Sequence, residues 1–139
     1  MKLSIILAAY NEEKNIKRCL ESVKWADEII IVDGQSTDKT VAIAKKYTAK
    51  IFSRENPLMF HKNKQLAIEK ATGDWILYLD ADEEVSQALK KEVLEAITSQ
   101  EINGFWLPRK NIIFGKWIRY SGWWPDEQLR LFRNGKAFL

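Results

Sequence analysis

Asp74-Trp75-Ile76-Leu77-Tyr78-Leu79-Asp80-Ala81-Asp82-Glu83 is an apolar run that stops on two carboxylates one residue apart. An apolar segment this short reads as a buried strand, so Asp80 and Asp82 lie where the strand leaves the core. In extended chain, side chains two apart point to the same side, which lets both carboxylates converge on one cation or one polar ligand. Such a pair suits a hard metal bound to phosphate oxygens.

On either side of this strand, strand and helix alternate with the regularity of a parallel α/β sheet. Leu3 to Ala9 reads as a strand, and Glu12 to Trp25 as an amphipathic helix with the apolar stripe Ile16, Cys19, Leu20 and Val23. Glu28 to Val32 is a second strand, closed by Asp33-Gly34. Ser36, Thr37 and Asp38 offer N-cap oxygens for a helix that turns Val41, Ala44 and Tyr47 inward. Lys50 to Ser53 is a third, shorter strand. The loop from Arg54 through Phe60 holds Pro57, and His61 to Ala71 is helical, with Gly73 predicted as its C-cap. Ser86 caps a further helix whose Leu89, Val93 and Ile97 face the sheet. After Asn103-Gly104 the character changes. Phe105 to Arg109 and Ile112 to Ile118 read as strands, and Trp106, Trp117, Trp123 and Trp124 crowd into this last quarter. Neither a repeat nor a linker interrupts the chain, so one domain over residues 1–139 is expected.

Composition bounds the class. With 139 residues, 46% hydrophobic and 29% charged, the chain has the makeup of a soluble domain able to bury one core. Its formal charge of +3 is unevenly placed: Arg109, Lys110, Lys116, Arg119, Arg130, Arg133 and Lys136 face only Asp126 and Glu127 beyond residue 102. That basic end is a candidate surface for phosphates or anionic lipid. A single cysteine, Cys19, excludes an internal disulfide and reads as a buried structural thiol in a reduced compartment. Tyr10-Asn11-Glu12-Glu13 interrupts the N-terminal apolar run before a signal-peptide core forms, and no segment approaches the length of a membrane span. The expected location is cytoplasmic, with peripheral contact at the inner face of the cytoplasmic membrane, and nucleic acid is not an expected partner.

In open α/β sheets, ligands bind outside the carboxyl ends of the parallel strands, at a switch in strand order. Three polar clusters occupy such ends: Ala9-Tyr10-Asn11-Glu12, Asp33-Gly34-Gln35-Ser36 and Asp80-Ala81-Asp82. Each alone has a bland explanation, since Asn11 or Glu12 can start a helix, Asp33 can form an Asx turn, and acids are common after strands. Their shared topological position favours a ligand site.

The ordered set Ser4-Ile5-Ile6-Leu7-Ala8-Ala9-Tyr10-Asn11-Glu12, Ile31-Val32-Asp33-Gly34-Gln35-Ser36-Thr37-Asp38-Lys39-Thr40 and Ala71-Thr72-Gly73-Asp74-Trp75 running into Asp80-Ala81-Asp82 resembles the family 2 inverting glycosyltransferases. Trp124-Pro125-Asp126 followed by Gln128-Leu129-Arg130-Leu131-Phe132-Arg133 is similar to the bacterial lipopolysaccharide-core beta-1,4-glucosyltransferase branch. The resemblance implies a GT-A type Rossmann-like nucleotide-binding fold with a mostly parallel sheet. It implies transfer of a hexose from a nucleotide-diphosphate sugar, UDP-linked for preference, to a hydroxyl of a saccharide or lipid-linked acceptor. Carried over residue by residue, Ala9, Tyr10, Glu12 and Asp33 hold the nucleotide base, Lys64 approaches the nucleotide, Asp80 takes the ribose side and Asp82 the metal. Asp126 matches the general base, with Glu127 beside it as a weaker alternative. Lys64 on a solvated helix face, and Asp126 and Glu127 pairing with Arg130 or Arg133, are the bland alternatives.

With no histidine or cysteine cluster, the metal is Mg2+ or Mn2+, held by one or two carboxylates and the substrate's own phosphates. It would neutralise the departing nucleoside diphosphate. Trp123 and Trp124 suit an acceptor platform, although at least one is expected to pack in the core. Lys116-Trp117-Ile118-Arg119-Tyr120 reads equally as an anionic-membrane contact and as a half-buried strand. His61 is expected on a helix surface.

Two other classes fit less well. A sugar nucleotidyltransferase would carry a Gly-rich phosphate loop, and Leu7 to Glu12 has no glycine. A glycosidase would leave the nucleotide elements without purpose. A noncatalytic nucleotide-sugar-binding domain stays open, because the sequence stops at Gly135-Lys136-Ala137-Phe138-Leu139 inside what looks like another strand. A C-terminally truncated domain is therefore expected, with the donor half over 1–102 and the start of an acceptor side over 103–139.

Overall fold

Strands β3 (Ile51–Ser53), β2 (Glu28–Asp33), β1 (Leu3–Ala9), β4 (Trp75–Asp80), β8 (Glu127–Arg133) and β6 (Gly104–Pro108) form, in that order, a six-stranded sheet whose centre β2-β1-β4 is parallel. The computed structural model describes residues 2–55, 61–108, 112–114 and 127–135, with backbone alone at 61, 106–108, 112–114 and 127–129. Strand β3 adds in parallel to β2. On the other side β8 runs antiparallel to β4, and β6 antiparallel to β8. A separate ribbon pairs β5 (Glu83–Val85) with β7 (Ile112–Phe114).

The central strands are almost wholly apolar because both faces of the sheet are covered. Leu3, Ile5, Leu7, Ile31, Trp75, Leu77 and Leu79 point to one face, where Ile16, Cys19 and Leu20 of α1 (Ile16–Glu21), Ala44 of α2 (Thr40–Ala44) and Leu89 and Val93 of α4 (Gln87–Ala96) meet them. Ile6, Ile30, Val32, Ile76, Tyr78 and Phe132 point to the other, under Ala67 and Ile68 of α3 (His61–Lys70). This alternation is the two-residue period of extended chain, filled on both sides.

A polar lock sets the register at the amino ends of these strands. Glu28, its side chain 2% exposed, accepts hydrogen bonds from Ser4 Oγ at 2.7 Å and from Thr72 N and Oγ1 at 2.9 and 2.7 Å, and it also pairs with Lys50. Burial alone would raise the Glu28 pKa, but the bonds from Lys50, Thr72 and Ser4 win and lower it to about 2. Gly73 completes the lock: its N–H donates to Ser4 Oγ at 2.9 Å. A β-carbon there would lie 2.5 Å from Ser4 Oγ and 2.9 Å from Ser4 N. The predicted C-cap role for Gly73 is therefore replaced by close approach of two backbones, and α3 has already ended at Lys70.

Other boundaries also shift. The helix expected over Glu12 to Trp25 contracts to α1: residues 13–15 and 22–25 form turns, with Asn15 N, Ser22 N and Val23 N bonding three residues back, and Glu12 N and Glu13 N are held by Thr40 Oγ1 and Asp38 Oδ2 at the start of the next helix. Ser36 and Thr37 do not cap α2, whose N-cap position is Lys39 without a side-chain bond, but Asp38 Oδ1 accepts from Thr40 N, the first amide of the helix, at 2.9 Å. Ser86 does cap α4, its Oγ accepting from Leu89 N at 3.0 Å. Arg130, read from sequence as part of a basic surface, is fully buried, paired with the equally buried Glu83 of β5.

Candidate active site

The chain runs from β1 outward through β2 to β3, then returns to place β4 on the opposite side of β1. The switch point thus falls between β1 and β4, where Ala8 sits beside Asp80. A cleft of about 370 Å³ opens there, lined by Ala8, Tyr10, Glu12, Lys64, Asp80, Ala81 and Asp82.

The floor of this cleft is charged. Lys64 Nζ lies 3.1 Å from Asp80 Oδ1 and 4.2 Å from the Tyr78 ring centre, and it donates to the Tyr78 hydroxyl. Its side chain is 17% exposed, so it is drawn off the helix surface toward the acid. Tyr78 OH donates to Asp80 Oδ1 at 3.4 Å. Behind them, Arg130 grips Glu83 through two bonds, Nη1 to Oε1 at 2.6 Å and Nη2 to Oε2 at 3.1 Å. Burial raises the Glu83 pKa above the ordinary carboxylate value, and the Arg130 guanidinium opposes that rise. Cys19 is fully buried and donates from Sγ to the Asp80 carbonyl at 3.7 Å, and burial pushes its thiol pKa well up, as expected of a structural thiol.

Beside the cleft, the loops after β1 and β2 are stitched together. Ser36 Oγ accepts from Asn11 N at 2.9 Å, Asn11 Oδ1 accepts from Thr37 N at 2.8 Å, and Lys39 N donates to Glu13 Oε2 at 3.1 Å. Gly34 N closes the base of the stitch on the Ala9 carbonyl at 2.8 Å. Two non-glycine residues in these loops, Asn11 at φ 49 and Gln35 at φ 65, hold left-handed backbone that the cross-loop bonds sustain. Asp33 is buried and accepts from Ser36 N and Oγ at 2.9 and 2.6 Å, as an Asx turn would. It also lines a second cleft of about 620 Å³ with Gln35, Ser36, Lys45, Thr48 and Ser53.

The structure therefore brings Tyr10, Glu12, Lys64, Asp80 and Asp82 together, while Asp33 opens on the neighbouring cleft and Ala9 is buried at the strand end. Strand β4 ends at Asp80 and Asp82 lies in the turn before β5, so a common cleft, not strand alternation, joins the two acids. Among the described residues no group of three or more His, Cys, Asp or Glu side chains is placed to enclose a metal. Two carboxylates lining an open cleft still fit a hard cation that takes its remaining ligands from phosphate and water. Asp126, Trp123, Trp124, Lys116 to Tyr120 and Pro57 lie outside the described residues, as do the side chains of Glu127 and His61. Sequence reasoning missed Ala8, Tyr78, Glu83 and Arg130. An arginine between Leu129 and Leu131 is the one signal available, since a cation in an apolar strand demands a buried partner.

Comparison with known proteins gives this architecture its class and then its family. The chain aligns with glucosyl-3-phosphoglycerate synthase from Mycobacterium tuberculosis in complex with Mg2+ and UDP, at a TM-score of 0.60 and 26% identity over 74% of this chain and 42% of that one. Its mostly parallel sheet flanked by helices is of the GT-A glycosyltransferase type. The profile of glycosyl transferase family 2 matches residues 4–137, and the chain belongs to that family. It is 43% identical over 132 residues to the uncharacterized glycosyltransferase RT0209 of Rickettsia typhi, covering 94% of this chain and 42% of that protein. It is 32% identical over 142 residues to the lipopolysaccharide core biosynthesis glycosyltransferase LpsC of Rhizobium meliloti, covering 99% of this chain and 53% of LpsC. The chain thus spans about half the length, or less, of these two relatives.

Proposed function

We propose that this chain carries the donor site of an inverting glycosyltransferase that moves a hexose from a UDP-sugar to a hydroxyl of a saccharide or lipid-linked acceptor. The observation that carries the proposal is the switch-point cleft, where Lys64, Asp80 and Asp82 converge beside the stitched loops. The nucleotide base lies against Tyr10 and Glu12, and Asp33 accepts from a pyrimidine N–H with lone pairs that Ser36 leaves free. Asp80 bonds the ribose, and Lys64 adds positive charge beside the diphosphate. Asp82, with Asp80 near it, holds Mg2+ or Mn2+, which when bound offsets the charge that grows on the departing diphosphate.

An acceptor hydroxyl is a poor nucleophile until its proton is being removed, and Asp126 is assigned that proton. Support comes from chain direction: β8 runs antiparallel to β4 and begins at Glu127, so its first residues belong to the edge that bears Asp80. One of Trp123 and Trp124 supplies an acceptor platform, and Lys116 to Tyr120 a contact with anionic membrane. No helix among the described residues is long and apolar enough to cross a membrane. The name of LpsC supports lipopolysaccharide or another cell-envelope glycan as the destination.

Calorimetric titration with UDP-, dTDP- and GDP-glucose, each with and without Mn2+, tests donor class and metal dependence together. UDP-glucose is expected to bind best and to gain affinity with Mn2+. Equal, metal-independent heats from all three donors would refute the assignment.

A further inference from the structure

Apolar side chains of similar volume hold a core position as well as a buried ion pair does, or better, because both charges must leave water. Arg130 and Glu83, each fully buried, therefore are not explained by stability. Their remaining contacts explain them. Arg130 Nη1 also donates to the Tyr78 carbonyl at 3.3 Å, and Glu83 Oε1 also accepts from Asp80 N at 2.7 Å. The pair so ties down the peptide groups on both sides of Leu79, the last buried residue before the turn that carries Asp82. Arg130 Nη2 further lies 3.8 Å from Asp80 Oδ2, while Lys64 holds Oδ1 at 3.1 Å. One carboxylate is thereby set between a cation from α3 and a cation from β8.

Resting on the reading of Asp80 and Asp82 as donor-site carboxylates, we infer that Arg130 and Glu83 are positioning residues, which fix the Asp80 side chain and the path of the following turn without touching the substrate. The donor site then depends on a strand supplied from the far end of the chain. A lysine at position 130 would keep the charge but lose the planar fork that engages Glu83 twice.

The test is UDP affinity with and without Mn2+, measured by calorimetry on the full-length protein beside its thermal midpoint. Exchanging the pair for apolar side chains, Glu83→Leu with Arg130→Met, leaves the midpoint at or above the parental one. It cuts the Mn2+-dependent gain in UDP affinity by about tenfold or more, as the loss of residues supporting a metal site does. Arg130→Lys loses part of the same gain. A purely structural role would move the midpoint and leave the affinity ratio alone, so a parental ratio in both altered proteins overturns the inference. Asp82→Asn separates the two levels. If it also keeps the parental ratio, the donor-site reading itself falls; if it abolishes the ratio while the other changes keep it, only the positioning role is wrong.

Discussion

Glu28→Gln is a sharp probe of the polar lock at the amino ends of the sheet. The buried carboxylate accepts from Ser4, from Thr72 twice and from Lys50, and its pKa falls from 4.5 to about 2. A pKa lowered in the folded state contributes stability that is fully present above the unfolded value and fades as pH falls through the folded one. The window is therefore about pH 4.5 down to about 2. At roughly 1.4 kcal/mol per unit the shift amounts to about 3.5 kcal/mol, and screening at the half-exposed Lys50 trims it to about 2 kcal/mol. Glutamine retains one acceptor but turns an NH2 toward groups that are themselves donors, so it cannot replace the carboxylate. Urea unfolding across pH 7 to pH 3 should show Glu28→Gln less stable by about 2 kcal/mol at neutral pH, with more than half of that gap gone at the acid end. A gap independent of pH would refute the charge-based account and leave only shape.

Further outcomes follow from the same geometry. Gly73→Ala, forced against the Ser4 backbone as well as its hydroxyl, should lower stability by about 2–3 kcal/mol in the same urea assay. Asp82→Asn should abolish the effect of Mn2+ on UDP binding while the far-UV circular dichroism stays parental. Asp126→Asn in the full-length protein should leave UDP affinity nearly unchanged and cut turnover by about 10²–10⁴-fold in a sugar-transfer assay. Normal turnover there would shift the base to Glu127 or beyond Leu139.

Periodicity made the centre of the fold legible. Apolar runs at Leu3 to Ala9 and Trp75 to Leu79 are strands within a residue of expectation, and Ser86 caps α4 as its hydroxyl suggests. Local pattern failed where residues distant in sequence compete for the same group. Glu12 to Asn15 look helical from their neighbours, yet the chain there only turns, with the Glu12 and Glu13 amides held by Thr40 and Asp38 at the start of α2. Gly73 looks like a helix stop, and only the arrival of Ser4, 69 positions away, shows why a side chain is excluded. The three acidic clusters were visible as strand-end features, and the cleft gathers two of them. Arg130 was misjudged because its charge suggests solvent, while the partner that internalises it sits 47 positions earlier.

That separation has a consequence during synthesis. At about 5–20 residues per second, the ribosome delivers Arg130 roughly 2–10 s after Glu83 has been made. Until then Glu83 has no guanidinium and the outer edge of β4 has no neighbour, so the desolvation of that carboxylate is unfavourable and the edge remains wet. The nascent chain passes through an interval in which the buried, largely apolar strand β4 is flanked on one side only, and chaperones that shield strand edges would find their target there. The site and the completed sheet are finished in the same event, when β8 slides in beside β4.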